Sequence, residues 1–150
     1  MRKKPIILVA EGDDNHFACF RKNLQRMQFE VLRFSDGPGL LAALDQYQNA
    51  ETVLSRPCLL FLDLQLPEAD SLEVLETIKS SPLLKKLPVV ILLGGEDEQV
   101  VEECYRRGCA FCLRKPVLPD RLEEVVRHVS DFLSVVELPE LAVLNLTGVQ

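Results

Sequence analysis

"CLLFLDLQLPEADSLEVLETIK", Cys58 to Lys79, is the stretch on which the fold turns. Its first residues form an unbroken apolar run that stops at Asp63, as expected of a short strand covered on both faces. After a polar passage containing Pro67, apolar residues return at Leu72, Leu75 and Ile78, the spacing of a helix with one buried face. "DSLE", Asp70 to Glu73, reads as the start of that helix. A strand capped by a carboxylate and followed by an amphipathic helix is half of a β-α-β crossover.

The same pattern repeats outward in both directions. "PIILVA" and "PVVILL" are further continuous apolar runs, and "FEVLRF" and "AFCLR" are shorter strands. Helical spacing recurs at Phe17, Phe20, Leu24 and Met27; at Val100, Val101, Cys104 and Tyr105; and at Leu122, Val125, Val126, Val129, Phe132 and Leu133. A further helix is expected from about Pro38 to Gln46 after the turn "SDGPG". Five β-then-α units imply an α/β fold with a doubly wound parallel sheet, because crossovers are right-handed and helices must cover both faces. In such a sheet the chemistry gathers at the carboxyl ends of the central strands. Glu11 follows the first strand, Asp63 closes the third, Leu93 closes the fourth and Lys115 follows the fifth, so these four positions should meet at one crevice. "YQNAETVLSR", Tyr47 to Arg56, reads as a long polar loop and "LKKLP" as the approach to the fourth strand.

The chain has 150 residues, of which 47% are apolar, enough for the core of a single domain. Its net charge of -6 comes from 23 acidic against 17 basic residues and disfavours nonspecific nucleic-acid binding, since phosphates would be repelled. No stretch approaches the ~18 consecutive apolar residues of a membrane span, and "MRKKPIILVAEGDD" lacks the length and cleavage site of a signal peptide. A soluble, cytoplasmic protein is expected, with no nucleic-acid or membrane partner. The five cysteines suit reduced thiols in apolar surroundings. "CAFC", Cys109 to Cys112, has redox spacing, but residues three apart on a strand point to opposite faces, so the pair is not expected to meet. His16 and His128 are lone histidines with expected surface or packing roles, and "GGEDEQVVEE" reads as a solvated first helical turn.

Taken in order, "EGDDNHF", "FLDLQLPEADSLEVLETIK" and "RKPV" resemble the motifs of response-regulator receiver domains of two-component signalling. The resemblance covers roughly residues 5 to 135 and implies a CheY-like, flavodoxin-like sheet of strand order 2-1-3-4-5. It divides the chain into a receiver domain, residues 1–136, and a C-terminal extension, residues 137–150, that packs on its own domain or contacts a partner or a second copy as a homodimer. Asp63 falls on the phosphoacceptor and Lys115 on the signature lysine. Mg2+ would be held by Glu11, Asp63 and the backbone carbonyl of Gln65. The long loop before the third strand, "IKSSPLLKKLPVVIL" and "FLSVVELPE" are most similar to small regulators that partner phytochrome-type sensor histidine kinases. The reaction implied is attack by Asp63 on a kinase phosphohistidine, in which positioning and neutralisation of oxygen charge supply nearly all the catalysis.

Four positions depart from the pattern. Gly12 stands where the family has its second acid, and Asp13, one residue late, should turn away from the crevice unless Gly12 uses positive φ to rearrange the loop. Leu93 replaces a threonine or serine whose hydroxyl binds the phosphoryl group. Cys112 falls on the aromatic partner of that switch. Ser71, where the family favours glycine, is a smaller change. The expectation is a phosphorelay regulator, not an enzyme, that signals by protein contact, with Mg2+ binding and phosphorylation at Asp63 weakened or absent. The alternatives are a phosphorylation-independent pseudo-receiver binding module, in which Asp63 and Lys115 persist as a paired charge, and an unrelated enzyme sharing the architecture.

Overall fold

The computed structural model describes residues 5–49 and 59–135. The elements alternate without exception: β1 Ile6–Ala10, α1 Asp14–Arg26, β2 Glu30–Phe34, α2 Gly37–Asn49, β3 Leu59–Asp63, α3 Ser71–Ser80, β4 Val89–Leu93, α4 Glu98–Arg106, β5 Phe111–Arg114 and α5 Pro119–Val135. All strand pairs are parallel and the order is β2-β1-β3-β4-β5, the doubly wound sheet expected from the alternation. Every residue of β3 and β4 is buried, which is why those strands read as continuous apolar runs.

Alternate residues of each strand feed two cores. Leu8, Ala10, Leu60, Leu62, Ile91 and Leu93 face Leu40 and Leu44 of α2, Leu75 and Ile78 of α3 and Cys104 of α4. Ile7, Val9, Phe61, Val90 and Leu92 face Phe17, Phe20 and Leu24 of α1 and Leu122, Val126 and Val129 of α5. Burying each such aliphatic or aromatic side chain stabilises the fold by roughly 1.5–3 kcal/mol.

Aspartates set where three helices begin. The Asp13 carboxylate accepts from the His16 amide, Asp70 from Leu72 and Glu73, and Asp97 from Val100, each satisfying backbone donors that the first turn leaves open. At its other end α4 closes in a Schellman turn: Cys109 N–H donates to Cys104 O at 3.2 Å and Gly108 N–H to Tyr105 O at 3.0 Å. Gly108, at φ 106°, is the residue that makes this turn, since a Cβ there would be strained.

Register places the strand tips. Ala10 pairs with Leu62, so Glu11 comes level with Asp63, and Asp63 pairs with Leu92. Leu93 pairs with Arg114, so Lys115 emerges beside the end of β4. Among the described residues no helix is long and apolar enough to cross a membrane. Residues 137–150 lie outside the described residues, as does most of the polar loop before β3.

Candidate functional site

Two acidic side chains are buried at the carboxyl edge of the sheet: Glu11, with no exposed surface, and Asp63, with 5%. Burying one unpaired charge costs several kcal/mol, so each must find a partner. Lys115 is that partner for both. Its Nζ donates to Glu11 Oε1 and Oε2 at 3.0 and 3.1 Å and to Asp63 Oδ2 at 2.8 Å. Three of the four positions expected at the crevice therefore touch one another.

Glu11 has further support. The Asp13 amide donates to its Oε2 at 3.2 Å, and His16 Nδ1 lies 2.5 Å from its Oε1. On the far side of the imidazole, the Val117 amide lies 3.5 Å from Nε2. One neutral tautomer satisfies both contacts, with Nδ1 donating to Glu11 and Nε2 accepting from Val117. Phe20 fixes the ring edge-on at 5.0 Å and is itself edge-on to Phe61 of β3. His16 thus belongs to the site rather than to the surface. The signal was its place in the first turn of α1, directly behind Glu11.

Asp63 is held through its backbone and its free oxygen. Gln65 N–H donates to Oδ1 at 2.9 Å, and the buried Ser71 hydroxyl donates to the Asp63 carbonyl at 2.7 Å. Ser71, the smaller departure from the family pattern, therefore ties the start of α3 to the tip of β3. Burial and the Glu11 carboxylate beside it push the Asp63 carboxyl above its ordinary range. Burial also works against ionised Glu11, but hydrogen bonds with Asp63, His16, the Asp13 amide and Lys115 outweigh it and hold Glu11 down at about 2. Lys115, opposed by burial but faced by both carboxylates, is held above its usual range. The resting site is one ammonium shared by two carboxylates, with the proton affinity concentrated on Asp63.

The second-acid position is filled by something else. A Cβ on Gly12 would meet the Pro67 ring at 2.9 and 3.0 Å, and Gly12 does not use positive φ. Its role is to let Pro67 come close. Asp13 is exposed and its carboxylate serves the helix cap, and among the described residues no three His, Cys, Asp or Glu side chains form a metal-ready cluster. The two buried carboxylates of Glu11 and Asp63 are nevertheless hard oxygen donors of the kind magnesium takes, with water completing its shell.

The fourth tip differs in kind. Leu93 gives the site its carbonyl, which accepts from Lys115 N–H at 2.8 Å. Its side chain is buried in the core shared with Cys104 and Cys109, and Cys112 packs against the same cluster. Above it, Glu96 bridges the loops, accepting from Gly94 N–H at 2.6 Å and from Gln65 Nε2 at 3.1 Å. That glutamate, expected only to be solvated, fastens the turn after β4 over the turn after β3. The "CAFC" expectation also needs correction: Cys109 lies in the turn before β5, not on the strand, and the Cys109 and Cys112 sulfurs are 3.7 Å apart.

An α/β sheet with a buried Asp-Glu-Lys cluster at the tips of β1, β3 and β5 is a receiver domain. The family model for the response regulator receiver domain matches residues 7–127, and the chain belongs to that family. It is 36% identical over 141 residues to Response regulator Rcp1 of Synechocystis sp., covering 91% of this chain and 93% of that protein. The crystal structure of the Mn2+-bound form of Rcp1 superposes with a TM-score of 0.72 at 33% identity, covering 90% of this chain and 99% of that one. The phosphorylated cyanobacterial phytochrome response regulator RcpA gives a TM-score of 0.73 at 32% identity, covering 92% and 100%. The chain is accordingly a response regulator receiver domain of two-component signalling.

Proposed function

We propose that this receiver signals by protein contact and that phosphoryl transfer to Asp63 is weakened or absent. The observation that carries the reading is the contrast at the strand tips: Lys115 spans Glu11 and Asp63, whereas Leu93 turns a buried apolar side chain into the core. In this reading Asp63 is the nucleophile, its Oδ2 facing the ammonium that would neutralise an incoming phosphoryl oxygen. Lys115 must release part of its hold on Asp63 for that attack. Glu11, Asp63 and the Gln65 carbonyl would hold Mg2+, which supplies charge neutralisation when bound. Asp13 would join them only if the cap of α1 opened.

Without a hydroxyl at Leu93, a phosphoryl group forgoes a charged hydrogen bond of roughly 1.5–3 kcal/mol, or about ten- to a hundredfold on a two-state equilibrium. The cognate donor would be a sensor histidine kinase of the phytochrome-linked kind, a reading supported by the likeness to Rcp1 and RcpA. No turnover of its own is assigned to the chain. The acidic surface charge favours protein over nucleic-acid partners, and residues 137–150 are assigned to a partner contact or to a homodimer.

Incubation with acetyl phosphate and magnesium, followed by intact-mass analysis with Asp63→Asn as control, tests this. Slow, partial, Asp63-dependent labelling is expected. Complete labelling at the first time point would overturn the weakening; no labelling, with partner binding kept by Asp63→Asn, would leave the pseudo-receiver module.

A further inference from the structure

Cys109, just after α4, and Cys112, on β5, touch none of the charged groups of the site described above. We propose that Cys109 and Cys112 are a peroxide-sensitive pair that closes into a reversible intramolecular disulfide. The inference rests on cysteine geometry and stands whether or not Asp63 is phosphorylated.

The Schellman turn is what brings the thiols together. By bonding the Cys109 amide back to Cys104 O, it folds residue 109 over the last turn of α4 and out of line with β5. Cys112, on β5 opposite Ile91, then meets it across the turn at 3.7 Å. A disulfide needs about 2.05 Å between sulfurs, so the pair must close by about 1.6 Å. The thiols are set apart chemically as well. The hydrogen bond from Cys112, aided by the Lys79 ammonium, draws the Cys109 thiol below its ordinary range, while Cys112 is pushed far up by Cys109 and by burial. Burial pushes Cys104 up to about 11, so it stays a thiol. The stem of Lys79 lies along Gly108, and its ammonium donates to Lys85 O and Leu87 O, so the charge beside Cys109 is held in place.

The chemistry balances with hydrogen peroxide as the oxidant. The Cys109 thiolate attacks one peroxide oxygen and the O–O bond breaks. The departing hydroxide leaves as water once protonated, and Cys109 becomes a sulfenic acid. The Cys112 sulfur then attacks the Cys109 sulfur; the sulfenic oxygen departs as a second water with the Cys112 proton. Two thiols have lost two electrons to one peroxide. Cys109 is 8% exposed, an aperture suited to an oxidant little larger than water and not to a bulky disulfide such as oxidised glutathione. Among the described residues the cysteines do not form a three-ligand metal cluster, which favours redox chemistry over a soft-metal site.

Trypsin releases both cysteines in one peptide, Gly108 to Arg114, which makes the test direct. The full chain is treated with stoichiometric hydrogen peroxide, alkylated with iodoacetamide and digested. The expected result is a Gly108–Arg114 peptide that has lost two hydrogens and carries no alkyl group, restored to two alkyl groups by dithiothreitol. Cys112→Ser should stop at a Cys109 sulfenic acid that dimedone captures, and oxidised glutathione should act more than tenfold more slowly than peroxide. A peptide that stays fully alkylated while other cysteines oxidise would overturn the proposal, as would dimedone capture at Cys112 in Cys109→Ser but none at Cys109 in Cys112→Ser.

Discussion

The tips of β1, β3 and β5 and the tip of β4 solve the same topological position in opposite ways. On one side Glu11, Asp63 and Lys115 make a buried ionic cluster in which each of the four carboxylate oxygens has a hydrogen-bond donor. On the other, Leu93 and Cys112 belong to an apolar cluster with Cys104 and Cys109. The ionic side keeps what is needed to bind charge. The apolar side offers no side-chain hydroxyl at Leu93 and no ring at Cys112. Breaking the buried ion pairs of the first side would leave an unpaired buried charge and is costly, whereas the second side holds no charge and rests on apolar packing.

The largest expected effect comes from breaking the ionic side. Lys115→Ala leaves two buried carboxylates facing each other and should cost about 3–5 kcal/mol in denaturant unfolding, with part of the loss recovered in Lys115→Ala/Asp63→Asn. Additive single effects would show that Lys115 does not couple the two carboxylates.

Next in size are substitutions that move each side toward the family pattern. Gly12→Asp should cost ~1–3 kcal/mol because its Cβ meets the Pro67 ring, and Pro67→Ala should relieve at least ~0.5 kcal/mol of it in a double-mutant cycle. An undisturbed Gly12→Asp would remove the steric reading of that position. Leu93→Thr places a hydroxyl among Leu62, Ile91 and the thiols of the same core and should cost ~1–3 kcal/mol, more than Leu93→Val. If threonine proves the milder change, a hydrogen-bond partner waits there.

A further effect is in the pH profile. Glu11 is lowered from 4.5 to about 2 on folding, so its contribution is present above pH 4.5 and is lost as pH falls through about 2. Asp63 is raised from 3.8, so its contribution is present below 3.8 and is lost as pH rises through its folded value. Urea unfolding from pH 2 to 7 should therefore show Glu11→Gln least stable relative to the parent at neutral pH and converging with it in acid. A constant gap would contradict the lowered Glu11 value.

The sequence revealed the fold because its information is local: uninterrupted apolar runs mark two-sided strands, and apolar residues three and four apart mark the helices between them. Glu11, Asp63 and Lys115 were legible for the same reason, since parallel register brings strand ends together. His16, Ser71 and Glu96 were not, because each acts through a contact across a turn whose shape no periodicity encodes. The thiol pair was misjudged by one structural state, although Gly108 before Cys109 carries the mark of a helix stop.

The division between the two sides is tested most directly by how far a phosphoryl mimic is felt. Amide shifts are to be recorded on addition of beryllofluoride with magnesium. Changes at Asp63, Gln65 and Lys115 that leave Tyr105, Cys112 and the rest of the α4–β5 face in place are predicted; a response travelling through Leu93 to Tyr105 and Cys112 would contradict the division between the two sides.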